Sequence, residues 1–347
     1  MNPFQFGGPV ESDYYFAQPE LRNAITAFLD NRTSVVLLGP RRHGKTSFIL
    51  DLFKHFESRK KPTETLFVDV FNITNHKDFL RQLLYALRKK QSGVQKLKQV
   101  SEEDTKQLIL ETLDSLNTLA PRLCVAFDEF QRVGQLEDGF WLEATLRSAM
   151  QQAKQTSFLF SGSRRSVIHQ MFNDQSRAFY RSCQLIDFPI FGEGFTTWII
   201  ERFKKAGLTV DSEIIKYIRD LVADTPHYVQ MICFNIVAAG HQKVSKKTVE
   251  DTLNTVINQN SYAYQTLLST VSPVHQRVLR MAAIEKDSVF SKENLARYDI
   301  KSPSHVSQAI NSLKSKQILD EGSASGKVIF DDPLFTLWLQ REIKETN

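Results

Sequence analysis

Cysteine is scarce in this sequence: Cys124, Cys183 and Cys233 are the only three, they lie far apart, and none forms a C-x-x-C pair. Such spacing argues against a disulfide framework and a thiolate metal site, and fits small buried hydrophobes in a reducing compartment. No apolar run reaches the ~20 residues that a bilayer requires. Residues 1–8 carry neither a charged leader nor an apolar core, so a cytoplasmic chain without membrane contact is expected. A strong excess of one charge is lacking too. With 44 basic residues against 39 acidic ones, the formal charge of +5 permits an acidic partner such as nucleic acid without demanding one. The guanine-reading N-K-x-D pattern does not occur.

At 347 residues, 41% hydrophobic and 24% charged, the chain is long enough for two or three globular domains. One stretch organises it. Gly39, Pro40, Arg41, Arg42, His43, Gly44, Lys45 and Thr46 match G-x-x-x-x-G-K-[ST] at every fixed position, a match that chance produces on the order of once in a hundred chains of this length. Residues 34–38 before it are apolar and β-branched, which predicts a buried strand. Residues 47–53 after it are apolar at helical spacing. Backbone N–H groups of a glycine-rich loop at a helix start can cradle phosphates that side chains would obstruct, so the stretch through Ser47 is a candidate nucleotide site. Lys45 would reach the β- and γ-phosphates, and the Thr46 hydroxyl would ligate Mg²⁺.

Around this loop, residues 3–15 predict an irregular lead-in and 18–30 a helix with Leu21, Ile25, Phe28 and Leu29 on one face. A second strand is expected over 64–70, then helices over 77–90 and 105–119 joined by a polar loop at 91–104. The apolar run 122–127 ends in Asp128 and Glu129, the form of a buried strand opening into a site. Asp128 would hold the metal, and Glu129 would orient and deprotonate a water. A strand over 156–163 brings Ser161 and Ser163 as hydroxyls for the γ-phosphate or that water, with local turn formation as the other reading. Arg164, Arg165, Arg177 and Arg181 precede a last strand over 183–188. An arginine from this or a neighbouring subunit could neutralise developing charge, and Arg181 joins Lys45 and Glu129 in the candidate catalytic set.

Gly39 to Thr46, Asp128–Glu129, Ser161-Gly162-Ser163 and residues 177–181 together resemble the AAA+ class of P-loop ATPases, specifically the archaeal-ATPase-like group related to the STAND NTPases. Pro189 with residues 195–203, and 224–230, extend the resemblance over nearly the whole chain. It implies an α/β fold with a parallel sheet of order 5-1-4-3-2, a helical lid and a C-terminal winged helix, with domains at 1–192, 193–268 and 269–347. It further implies ATP and ADP as ligands with Mg²⁺, nucleotide contact at Pro226, His227 or Tyr228, where Pro and Tyr also suit packing at a helix start, and an amino-terminal segment that covers the base or packs against the sheet edge. Gln18 departs from the pattern, since relatives usually carry arginine there.

Helical patterns over 210–258 are punctuated by Pro226 and Gly240. Residues 272–274 look like a hinge, followed by helices over 276–284, 292–298 and 304–315 and a hairpin, 318–321 with 327–330, across a 322–326 turn. Ser304, His305, Ser307, Gln308, Asn311, Ser312 and Lys314 could read a major groove or form a solvated face beside the acidic Asp320, Glu321, Asp331 and Asp332. Two functions follow: an ATP-hydrolysing switch that controls a protein partner, with homo-oligomers permitted, or an ATP-dependent DNA-binding protein of the origin-recognition or transposition-helper kind.

Overall fold

The computed structural model describes residues 1–90, 101–241, 243–285, 288–320, 322 and 327–346. They form two compact units, one of residues 9–189 and one of 1–8 with 190–347.

The first unit is a five-stranded parallel sheet wrapped by helices. Strands β1 (Val35–Leu38), β2 (Glu64–Asp69), β3 (Leu123–Asp128), β4 (Thr156–Gly162) and β5 (Gln184–Asp187) run in the order 2-3-4-1-5. That is the expected 5-1-4-3-2 seen from the other edge. Every residue of β1, β3 and β4 is buried, which is why these strands read as continuous apolar runs rather than alternating ones. Helices α1 (Pro19–Asp30), α2 (Lys45–Glu57), α3 (His76–Lys90), α4 (Glu102–Leu119), α5 (Gly139–Gln152) and α6 (Arg165–Asn173) cover it. In α2, Phe48, Ile49, Leu52, Phe53 and Phe56 recur at helical spacing and are buried.

Under the carboxyl ends of β3 and β4 lies a phenylalanine cluster. Phe130 sits with its ring 4.4 Å from Phe160, Phe127 stacks on Phe160 at 5.8 Å, and Phe179 meets Phe172 at 4.8 Å. All are fully buried, so the strand ends that carry polar residues rest on a close-packed floor. The polar loop expected at 91–104 is shorter at its far end. Ser101 accepts from the Asp104 N–H at 3.1 Å, and Glu102, Glu103 and Asp104 form the first turn of α4. Acidic side chains there offset the helix dipole, which is why a charged segment became helix. Residues 91–100 lie outside the described residues.

The second unit is helical: α7 (Glu193–Lys205), α8 (Ser212–Leu221), α9 (Pro226–Ala238), α10 (Lys246–Ser269), α11 (Pro273–Ile284), α12 (Lys292–Arg297), α13 (Pro303–Ser315) and α14 (Pro333–Thr346). Among the described residues the hairpin shows an antiparallel bridge, Leu319 to Phe330; apart from Gly322, its turn falls outside the described residues. Helix α14, absent from the sequence reading, buries Leu334, Phe335, Trp338 and Leu339. Its Phe335 and Trp338 pack on Tyr264 of α10 at 5.4 and 5.8 Å. Residues 1–8, expected with the sheet domain, belong to this unit instead. Phe4 is 1% exposed and lies 4.9 Å from the Phe203 ring, and Asn2 donates to the Phe234 carbonyl at 2.9 Å. An aromatic anchor outweighs chain proximity here. Among the described residues no helix is long and apolar enough to cross a membrane.

Truncating the floor tests its weight: Phe160→Ala should lower stability by about 3–5 kcal/mol, measured as a shift of the urea unfolding midpoint.

Candidate nucleotide site

Strand β1 leaves the sheet at Gly39, whose N–H bonds the Gly162 carbonyl at 3.4 Å. A Cβ on Gly39 would stand 2.8 Å from Phe188 Cβ, so only glycine lets the chain pass. Gly44 caps α2 at φ 95°, in the left-handed region that glycine adopts without a Cβ clash. The loop thereby turns straight into a helix N-terminus, the positive end of a dipole. Lys45 is 5% exposed, and its Nζ donates to the Gly39 and Pro40 carbonyls, each at 2.8 Å. The ammonium thus lies across the mouth of its own loop. The His43 ring nitrogen lies 2.8 Å from the Arg41 carbonyl, and Ser47 Oγ accepts from the Val10 N–H at 2.9 Å.

On the opposite wall, Asp128 is 4% exposed and saturated with donors. Thr46 Oγ1 donates to its Oδ2 at 2.6 Å, Ser161 Oγ donates to Oδ1, and the Glu129 N–H reaches Oδ1 at 3.0 Å. Asp69 stands in register with Asp128 across β2 and β3. Desolvation raises the Asp69 pKa, a bond from the Phe71 N–H opposes it, and the charges of Asp128 and Glu129 push it up further. Among the described residues no three His, Cys, Asp or Glu side chains form a metal cage. The hard oxygens of Thr46 and Asp128 nevertheless fit Mg²⁺, which takes one or two protein oxygens and completes its shell with phosphate and water.

Glu129 turns out of β3 at φ 58° and ψ 38°, an uncommon backbone region for a residue other than glycine. Its Oε2 accepts from Gln131 Nε2 and, at 3.1 Å, from Ser163 Oγ. Gln131 is 1% exposed, and its Oε1 takes the Ser163 N–H at 3.3 Å. Sequence reading missed Gln131 as a site residue; its one signal was a polar side chain just past the acidic doublet in an otherwise apolar run.

Residues 29–171 match the AAA domain family model, and residues 262–341 match the probable winged helix domain. The chain carries an AAA domain, and its phosphate loop lies within it. Its fold is shared with the Walker-type ATPase PABY2304 of Pyrococcus abyssi, at 16% identity over 95% of this chain and 97% of that one, with a TM-score of 0.69. The Aeropyrum pernix ORC2 protein, solved in ADPNP and ADP complexes, gives a TM-score of 0.59 at 15% identity over 94% and 93%. The Aeropyrum pernix ORC1 protein in complex with DNA gives 0.54 at 14% over 95% and 93%. At these identities the likeness is one of fold. No curated protein matches the sequence.

Three of the four candidate arginines make contacts outside the loop and the acidic doublet. Arg177 donates through Nε to Glu143 Oε2 at 3.0 Å and through Nη2 to Oε1, and Glu143 is fully buried. Burial raises the Glu143 pKa and Arg177 draws it back. Arg165 pairs with Asp187 at 3.0 Å. Arg181 is exposed, lies over the Tyr180 ring at 5.2 Å and precedes the amino end of β5. It touches none of Lys45, Thr46, Asp128 or Glu129 in its own chain. Pro226 opens α9 in the second unit, where Tyr228 is 2% exposed and the His227 ring lies 6.1 Å from Phe6.

Glu143 was invisible to sequence reading because an acid on an amphipathic helix normally faces water. Glu143→Ala, which leaves the Arg177 guanidinium unpaired, should cost about 3–5 kcal/mol in chemical denaturation.

Proposed function

We propose that the chain binds ATP with Mg²⁺ and hydrolyses it to ADP, and that nucleotide occupancy drives its helical region and winged helix to control a protein partner. The hydrogen bond from Thr46 to Asp128 carries this reading, because it joins the phosphate loop to the carboxylate strand at a single point. On this view Gly39, Pro40, Arg41, Arg42, His43, Gly44 and Ser47 shape the phosphate cradle. Lys45 leaves its loop carbonyls for the β- and γ-phosphates. Mg²⁺, bound by Thr46 and Asp128, would neutralise charge on those phosphates. Ser161 holds Asp128 in place from β4, and Glu129 orients and deprotonates the attacking water. Gln131 and Ser163 aim the Glu129 carboxylate. Arg181, exposed and over the Tyr180 ring, is proposed to serve the site of a neighbouring copy, which makes homo-oligomers part of the reading. Pro226 and its neighbours are proposed to meet the nucleotide from a lid at 193–268, between a sheet domain at 1–192 and a winged helix at 269–347. Cytoplasmic residence accords with three unpaired thiols.

Turnover and binding separate the roles. Lys45→Ala should abolish ATP binding, whereas Glu129→Gln should bind ATP while kcat falls by about 10²–10⁴-fold. Wild-type protein that never binds ATP with magnesium would end this reading.

A DNA-binding role is favoured by one observation. Helix α13 buries Val306, Ala309, Ile310 and Leu313 and exposes Ser304, His305, Ser307, Gln308 and Asn311, so its outward face is polar and small enough for a major groove. Duplex binding should then be salt-dependent and weaken when Lys314 and Lys316 are both changed to glutamine, as read by fluorescence anisotropy. Absence of binding at low salt rejects this role.

A further inference from the structure

Helix α8 ends in a turn that needs strong local contacts to persist. Ala223 and Asp224 stand consecutively in the left-handed region, at φ 49° and 52°, where a Cβ crowds the following carbonyl oxygen. Thr225 follows, and Pro226 opens α9. The geometry of this turn therefore sets the direction in which α9 leaves α8, with Pro226, His227 and Tyr228 in its first turn.

Arg219, in the last turn of α8, secures it. Its Nε donates to Asp224 Oδ1 at 2.7 Å and its Nη2 to Oδ2 at 2.9 Å, a bidentate pair that matches guanidinium to carboxylate. Nη1 donates to the buried Thr196 Oγ1 at 2.7 Å and to the Gly192 carbonyl at 3.2 Å, and Nη2 also donates to the Phe191 carbonyl. All five N–H donors of one side chain, itself 12% exposed, are thus engaged. Lysine, with three donors and no fork, could not make this set. The stretch held at Phe191 and Gly192 continues from β5. Phe188, three positions before Phe191, donates its N–H to the Leu38 carbonyl at 2.5 Å and stands against Gly39 of the phosphate loop. One guanidinium therefore ties the chain that leaves the loop's neighbouring strand to the turn that aims α9.

We propose that Arg219, acting through Asp224, is a positioning residue for the nucleotide: it fixes the strained turn so that α9 presents Pro226 and its neighbours to the ligand. This rests on the nucleotide contact proposed above for that segment. With the Arg219–Asp224 pair broken, Ala223 and Asp224 relax to negative φ and the start of α9 shifts, while the phosphate loop keeps its own contacts. Neither Arg219 nor Asp224 touches the ligand. Their effect runs through the backbone of the turn, and a shift on the order of 1 Å at a binding group is enough to weaken what it holds.

The test is calorimetric titration of ATP with magnesium into the full chain carrying Glu129→Gln, which slows hydrolysis, and into the same chain with Arg219→Gln, Asp224→Asn or both added. The dissociation constant should rise about tenfold or more with either addition at unchanged stoichiometry, and the double variant should bind no more weakly than the single ones, because each breaks the same pair. A merely structural role would lower the stoichiometry as folded protein is lost and leave the dissociation constant alone; that result overturns the inference. Asp224→Asn keeps size and shape, so the test stands should Arg219→Gln fail to fold. An unchanged dissociation constant, or losses that add in the double variant, overturns it as well. Absence of ATP binding before either addition fails the ATP reading and this inference with it, whereas binding that ignores both additions fails this inference alone.

Discussion

The structure of the first unit hangs on one hydroxyl–carboxylate contact, Thr46 to Asp128 at 2.6 Å. In the order 2-3-4-1-5 the strand that launches the loop and the strand that ends in the acidic doublet are not neighbours; β4 lies between them. Ser161 on β4 completes the span by donating to the other oxygen of the same carboxylate. Strands β3 and β4 and the first turn of α2 are therefore tied by a short polar chain, at the crevice where open α/β sheets bind ligands. Such a chain is worth having only if it is held still. The stacked rings of Phe127 and Phe160 beneath it, with Phe130 against them, provide that rigidity.

A second layer of polar contacts serves the neighbouring carboxylate. Glu129 leaves the strand in the left-handed region, and Gln131 and Ser163 both donate to Oε2. The two acids differ in surroundings. Asp128 is buried among hydroxyl donors next to the loop, whereas Glu129 is half-buried and accepts from Gln131 and Ser163. On the proposed reading, surroundings alone would divide two carboxylates between metal holding and water activation.

Much of this was open to sequence reading, for a physical reason. Strands buried on both faces leave long apolar runs, and the glycine loop needs particular residues at particular spacings, so β1, β3, β4, the loop and the doublet stood out. What escaped depends on contacts between residues distant in sequence. Nothing local marks Glu143 as the buried partner of Arg177, 34 positions away. Nothing local says that Phe4 will bury itself against Phe203 rather than near the sheet. Gln131 lies just past the acidic doublet, yet its contact comes from Ser163, 32 positions away just past β4. Arg181, singled out by pattern, is exposed and lies over Tyr180.

If Thr46 and Asp128 jointly hold a magnesium ion between loop and strand, the metal should strengthen nucleotide binding only while that carboxylate is intact. Calorimetric titration of ATP with magnesium and with EDTA, on wild type and on Asp128→Asn, measures this. The account predicts a clear magnesium-dependent gain in affinity for wild type and its loss in Asp128→Asn, with EDTA affinities alike. An equal magnesium gain in both proteins would contradict it.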